Sequence, residues 1–110
     1  MSSYGLSSDT IELIQGALSK YTKIEKAILY GSRAKGNYRN GSDIDLTLVG
    51  EEMTLRELGK LEWEIDDLLL PYKFDISLFH QIGNPSLIEH IQRVGKDFWV
   101  RETQGKSTSD

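Results

Sequence analysis

No cysteine occurs among the 110 residues, which excludes disulfides, thiolate metal sites and cysteine nucleophiles. That absence is compatible with a reducing compartment. Proline is almost missing too, with two residues. No apolar run approaches the roughly 20 residues that a membrane span needs. The opening MSSYGLSSD lacks a basic start followed by an apolar stretch, so no secretion signal is expected. Excess positive charge is absent as well: the net charge of −4 argues against strong nucleic-acid binding through a basic surface. A soluble cytoplasmic protein without membrane contact is the expectation.

What is present fits one globular domain, with 38% hydrophobic and 27% charged residues. A domain this small buries an ordinary core and has little surface left for a large substrate cleft. Its charges are not evenly spread. From Lys20 to Ser42 six bases (Lys20, Lys23, Lys26, Arg33, Lys35, Arg39) stand against Glu25, and from Asp43 to Asp67 nine acids stand against Arg56 and Lys60. Solvated helix faces explain most such charges, but a basic block meeting an acidic one also suits a site that holds a polyanion and cations together.

Asp9 with Glu12 resembles a capping box, and Ile11, Ile14 and Leu18 recur at helical spacing, which predicts a helix over about 8–20. Ala27 to Tyr30, stopped by Gly31, reads as a buried strand. Asn40-Gly41 is a turn signal. Residues 43–49 alternate with period two, as do residues 73–79, and both read as half-buried strands. Between them Thr54 with Glu57 opens a helix that runs to about Leu70 before Pro71. Asn84-Pro85 opens another, to about Val94, and Phe98 to Val100 suggests a short last strand. The small polar residues 104–110 read as a flexible tail behind a domain of 1–103.

Alternation decides which residues carry chemistry. Ile44, Leu46 and Leu48 share one strand face, Asp43, Asp45 and Thr47 the other; Phe74, Ile76 and Leu78 oppose Asp75 and Ser77. With the apolar faces under helices, Asp43, Asp45 and Asp75 emerge together on the far side. Three convergent carboxylates without Cys or a His set suit a hard cation, Mg²⁺ before Zn²⁺. Two such ions would clamp the attacking and leaving oxygens of a phosphoryl displacement. Upstream, Gly31-Ser32 closes a strand and opens a helix, where glycine lets a phosphate approach and free amides bind anions. Ser32 adds a hydroxyl, and Arg33 or Lys35 a charge near the triphosphate.

Gly31-Ser32-Arg33-Ala34-Lys35-Gly36, followed by Ser42-Asp43-Ile44-Asp45-Leu46, resembles the signature of the DNA-polymerase-β-like nucleotidyltransferase superfamily. The size is similar to that of its minimal nucleotidyltransferase (MNT) family. The resemblance implies an α+β, two-layer nucleotidyltransferase fold with a mixed three- to four-stranded sheet and helices on one face. It implies that Gly31 and Ser32 hold the terminal phosphates and that Asp43 and Asp45 bind both metals. Asp75 would bind the catalytic metal and help deprotonate the attacking hydroxyl. Mg²⁺, as two ions, is the implied cofactor, with Mn²⁺ as an alternative, and a nucleoside triphosphate, ATP, is the implied donor. Members of the family commonly act as antitoxins beside a HEPN ribonuclease, adding AMP to a toxin tyrosine. A HEPN-type partner protein is therefore implied; an oligomer is left open.

Other signals are set aside. Gly31 to Gly36 begins like a Walker A loop, but Asn37-Tyr38 stands where Lys-Ser/Thr is needed. Asp43-x-Asp45 fails as an EF-hand at Leu48 and Thr54. His80 and His90 read as surface or capping residues, and Trp63 and Trp99 as packing; Tyr38 stands close enough to the phosphate loop to touch a base. Two other functions fit the residues: a protein-binding module that neutralises a toxin by occlusion, and an enzyme that modifies a small molecule such as an aminoglycoside.

Overall fold

The computed structural model describes residues 2–39 and 41–102; the expected tail at 104–110 and Asn40 of the expected turn lie outside them. The chain opens with a hairpin absent from the sequence reading. β1 (Ser2–Ser3) pairs antiparallel with β2 (Leu6–Ser7). Tyr4 and Gly5 both take positive φ, 57° and 77°, which is the backbone a two-residue hairpin turn requires.

α1 (Ser8–Ser19) follows. Its N-cap is Ser7, whose Oγ accepts the Thr10 N–H at 3.1 Å. The expected Asp9–Glu12 box is therefore displaced, with Asp9 left in the first turn facing the helix dipole. β3 (Lys26–Tyr30), the single-turn α2 (Ser32–Lys35) and β4 (Ile44–Val49) come next. α3 (Leu55–Asp66) opens on the expected capping box, Thr54 N–H to Glu57 Oε1 at 3.1 Å and Glu57 N–H to Thr54 Oγ1 at 3.2 Å. It stops short of Leu70, because the chain turns with Leu69 at a φ of 56°. β5 (Phe74–Leu78) leads into α4 (Pro85–Val94), which Asn84 caps by accepting the Ser86 N–H at 2.9 Å. β6 (Lys96–Val100) closes the fold.

The main sheet runs β5-β4-β3-β6, with β4 and β5 parallel and the other pairs antiparallel. The α+β mixed sheet expected from the sequence is thus present, at four strands. α1 and α3 bury Ile14, Leu18, Leu58, Leu61 and Ile65 against Ala27, Leu29, Ile44, Leu46, Leu48, Ile76 and Leu78. One expected feature is corrected: the long helices do not all share that face. α4 lies across the other face at β3, where its Ile91 is buried outside that core and Gly95 packs on Ile28. β4 and β5 keep their own stretch of that face for polar side chains. At the remote end of the sheet Arg101 donates to the carbonyls of Ile24 (2.9 Å), Tyr21 (2.8 Å) and Ser19 (3.2 Å) and stacks on Trp99.

Candidate active site

Register fixes the centre of the site. Tyr30 pairs with Asp45 across β3 and β4, and Asp45 pairs with Asp75 across β4 and β5. The three residues form one row on the face away from α1 and α3, at the roughly 4.8 Å spacing of neighbouring strands. The next row is Ile28, Thr47 and Ser77. There the Ser77 hydroxyl donates to Thr47 Oγ1 at 3.0 Å, and Thr47 is fully buried. The aspartates thus stand on a floor closed by its own hydrogen bond.

Gly31 ends β3 beside this row. Its φ of 79° and ψ of −158° belong to a region open in practice only to glycine. A Cβ there would collide with Asp45 Oδ2. Glycine is thus required twice at this position, by its backbone and by the carboxylate lying against it. The chain then turns into α2, where the Lys35 N–H donates to the Gly31 carbonyl (3.0 Å) and the Gly36 N–H to that of Ser32 (2.9 Å). Ser32, half-buried, starts that turn next to the aspartate row. The glycine-serine loop and the Asp45–Asp75 pair therefore share one end of the sheet.

The site is electrostatically unbalanced. Burial first, then the charges of Asp75 and Asp43, hold the Asp45 carboxyl above its ordinary pKa, with His90 opposing weakly. Burial, Asp75 and Asp45 likewise raise the Tyr30 phenol. Among the described residues no lysine or arginine forms an ion pair with Asp43, Asp45 or Asp75. Asp43 stands exposed one residue ahead of β4. Among the described residues no three acidic or histidine side chains already converge closely enough to cage an ion. The donors nonetheless fit a hard divalent cation: all are carboxylate oxygens, two face each other across adjacent strands, and among the described residues no lysine or arginine offsets their mutual repulsion by an ion pair.

Arg33 corrects the sequence reading. Its side chain is 3% exposed and turned inward, not toward a triphosphate. Nε and Nη2 donate to the Ser42 carbonyl at 3.0 and 2.9 Å, and Nη1 donates to the Tyr4 carbonyl at 2.9 Å. Tyr38, read from the sequence as near enough to touch a base, lays its ring over the Arg33 guanidinium and beside the Gly5 backbone. His90, read as a surface or capping residue, stands edge-on to Tyr30 with ring centroids 6.1 Å apart. The signal for it was the helical spacing of Leu87, Ile88 and Ile91, which turns the adjacent His90 toward the sheet. Trp63 is 75% exposed on α3 and is not a packing residue. A groove of about 770 Å³ beside it, lined by Leu70, Tyr72, Phe74 and Ile76 among others, borders the apolar side of β5, opposite Asp75.

Comparison with known proteins agrees with this architecture. The family described as "Polymerase beta, Nucleotidyltransferase" matches residues 12–104. The chain belongs to that family and is a nucleotidyltransferase. One putative protein adenylyltransferase of Methanocaldococcus jannaschii is 46% identical over 41 residues, covering 36% of this chain and 41% of that protein, so less than two thirds of it is spanned. A second from the same organism is 32% identical over 76 residues, 66% of this chain and 77% of its own length. In fold, the chain resembles one in a crystal structure of a toxin-antitoxin with AMP-PNP, at TM-score 0.68 and 18% identity, covering 88% and 78% of the two chains. It also resembles one in a tri-AMPylated Shewanella oneidensis HEPN toxin in complex with MNT antitoxin, at TM-score 0.57 and 17% identity, covering 88% and 76%. Among the described residues no helix is long and apolar enough to cross a membrane.

Proposed function

We propose that this nucleotidyltransferase moves AMP from ATP onto a tyrosine hydroxyl of a HEPN-type partner protein and thereby acts as its antitoxin. The observation that carries the reading is the register of Asp45 opposite Asp75, with Gly31 lying against Asp45. Relatives described as protein adenylyltransferases support the protein acceptor, and fold neighbours from toxin-antitoxin structures support the partner.

In this reading Gly31 lets the terminal phosphates approach the backbone and the Ser32 hydroxyl donates to them. Asp43, Asp45 and Asp75 would hold Mg²⁺, as two ions, or Mn²⁺ in its place. When bound, such ions neutralise charge on the triphosphate and on the two oxygens exchanging at phosphorus. Asp75 accepts the proton of the attacking hydroxyl. The hydroxyl oxygen forms a bond to the α-phosphorus, the bond to the bridging β-phosphate oxygen breaks, and pyrophosphate leaves. His90 and Tyr30 wall the site on the β3 side.

The test is labelled ATP, CTP, GTP and UTP with the co-expressed HEPN-type partner and Mg²⁺, followed by peptide mapping. Label from ATP on a partner tyrosine, lost in Asp45→Asn and Asp75→Asn, is the expected result. Neutralisation that persists in both variants without incorporation of any nucleotide would replace the enzymatic reading with occlusion.

A further inference from the structure

Arg33 is a charge buried among carbonyls. Among the described residues no carboxylate lies at ion-pair distance from it, although a buried charge without compensation is costly. The compensation here comes from three hydrogen bonds to the Ser42 and Tyr4 carbonyls and from two aromatic faces. The Tyr38 and Tyr72 rings have their centroids 5.4 and 5.0 Å from the guanidinium carbon. These groups come from three separate stretches of chain: the N-terminal hairpin, the loop between α2 and β4, and the approach to β5. Ser42 directly precedes Asp43. Tyr72 stands three residues before Asp75. Tyr4 belongs to the N-terminal hairpin, and Tyr38 to the loop between α2 and β4. Arg33 itself follows Ser32.

We propose that Arg33 is a positioning residue that fastens the hairpin at Tyr4, the residue before Asp43 and the approach to Asp75 to the glycine-serine loop, and so sets where the aspartates stand for a divalent cation. The hairpin lies outside residues 12–104, the stretch of this chain that matches the family. Gly5 makes the contact feasible. A Cβ there would stand 2.8 Å from Arg33 Nη1 and 2.9 Å from Tyr38 Cζ, at a φ of 77° that side chains rarely adopt. Lysine cannot replace the arginine, because one ammonium cannot serve two carbonyls in a fixed fork and lie flat between two rings. The inference rests on the reading that Asp43, Asp45 and Asp75 hold the cation.

Arg101 supplies an internal control. It makes the same kind of clamp, with three backbone carbonyls and one aromatic face, at the opposite end of the sheet. The experiment measures Mn²⁺ uptake by loss of the free-ion electron paramagnetic resonance signal. It compares wild type, Arg33→Lys, Gly5→Ala, the double variant, Arg101→Lys and Asp45→Asn, each shown folded by circular dichroism. Residues that orient metal ligands typically change affinity by about 10- to 100-fold. Arg33→Lys and Gly5→Ala should each raise the half-saturating Mn²⁺ concentration about tenfold, and the double variant should go little further, because both act on one clamp. Arg101→Lys should lower the melting temperature while leaving Mn²⁺ uptake at the wild-type level. Wild-type uptake in Arg33→Lys, or equal losses in Arg33→Lys and Arg101→Lys, would overturn the clamp while leaving the cation reading standing. A wild-type chain that takes up no more Mn²⁺ than Asp45→Asn overturns both.

Discussion

At Gly31 one methyl group separates a working loop from a blocked one. Gly31→Ala meets both the unfavourable backbone and the Asp45 carboxylate, so a destabilisation of about 1–3 kcal/mol is expected in urea unfolding. AMP incorporation should fall by more than the loss of folded protein explains, since Asp45 must move. Asp45→Asn should act in opposite directions on stability and activity. The folded-state pKa of Asp45 is raised, so its charged form opposes folding at neutral pH. Removing that charge should raise the melting temperature of the metal-free protein and abolish transfer; a lower melting temperature would show that Asp45 is held by attraction instead of strained by repulsion. That Gly31 and Ser32 stand beside the row of Asp45 and Asp75 was legible in the sequence, because strand alternation and the stop at glycine fix those positions locally. Arg33 was misread for a physical reason. A base beside a phosphate loop looks like a ligand, and only Tyr4 and Tyr72, distant in sequence, draw its side chain inward. His90 and Trp63 were misread for the same lack of long-range information.

Element boundaries follow local chemistry wherever the cap is made by neighbours in sequence. Thr54 with Glu57 and Asn84 with Pro85 predicted their helix starts correctly, because each cap closes within three residues. The reading failed where tertiary structure chose: Ser7 replaced Asp9 as the cap of α1, and the hairpin before it has strands of two residues, too short for any period to show. α4 crossed to the polar face because Ile91 and Gly95 found Ile28 there, a preference its own amphipathic pattern could not reveal. The capping box of α3 yields a pH prediction. The Thr54 backbone N–H, more than any other group, lowers the Glu57 pKa from its usual 4.5, with Lys23 assisting. A depressed carboxyl stabilises the fold above the unfolded-state value and loses that contribution as pH falls through the folded value. The acid side of the stability profile should therefore flatten in Glu57→Gln below about pH 4.5, with no change in its slope near neutrality. Thr54→Ala should cost roughly 1 kcal/mol, about 5 °C in melting temperature, near neutral pH.

Across the whole molecule the two sheet faces are set to different tasks. One is closed by α1 and α3 over a continuous apolar core, and the other packs against α4 along β3 and carries the half-buried Asp45 and the exposed Asp75 on β4 and β5. The fold thus gathers like charges at one end of its polar face, inside a chain of net charge −4. Such an arrangement is stabilised by whatever cation the folded state binds and the unfolded chain does not. At a hundredfold excess over the dissociation constant the linkage amounts to about 2.7 kcal/mol, or roughly 10 °C or more for a domain near this size. Saturating Mg²⁺ should therefore raise the wild-type melting temperature by that order, and chelation should reverse it. Asp45→Asn and Asp75→Asn, which begin with less repulsion to relieve, should respond far less. Differential scanning fluorimetry with Mg²⁺ and with an equal ionic strength of NaCl separates specific binding from screening. Equal shifts in wild type and both variants, or a NaCl effect as large as that of Mg²⁺, would mean that the polar face gathers charge without using it to hold an ion.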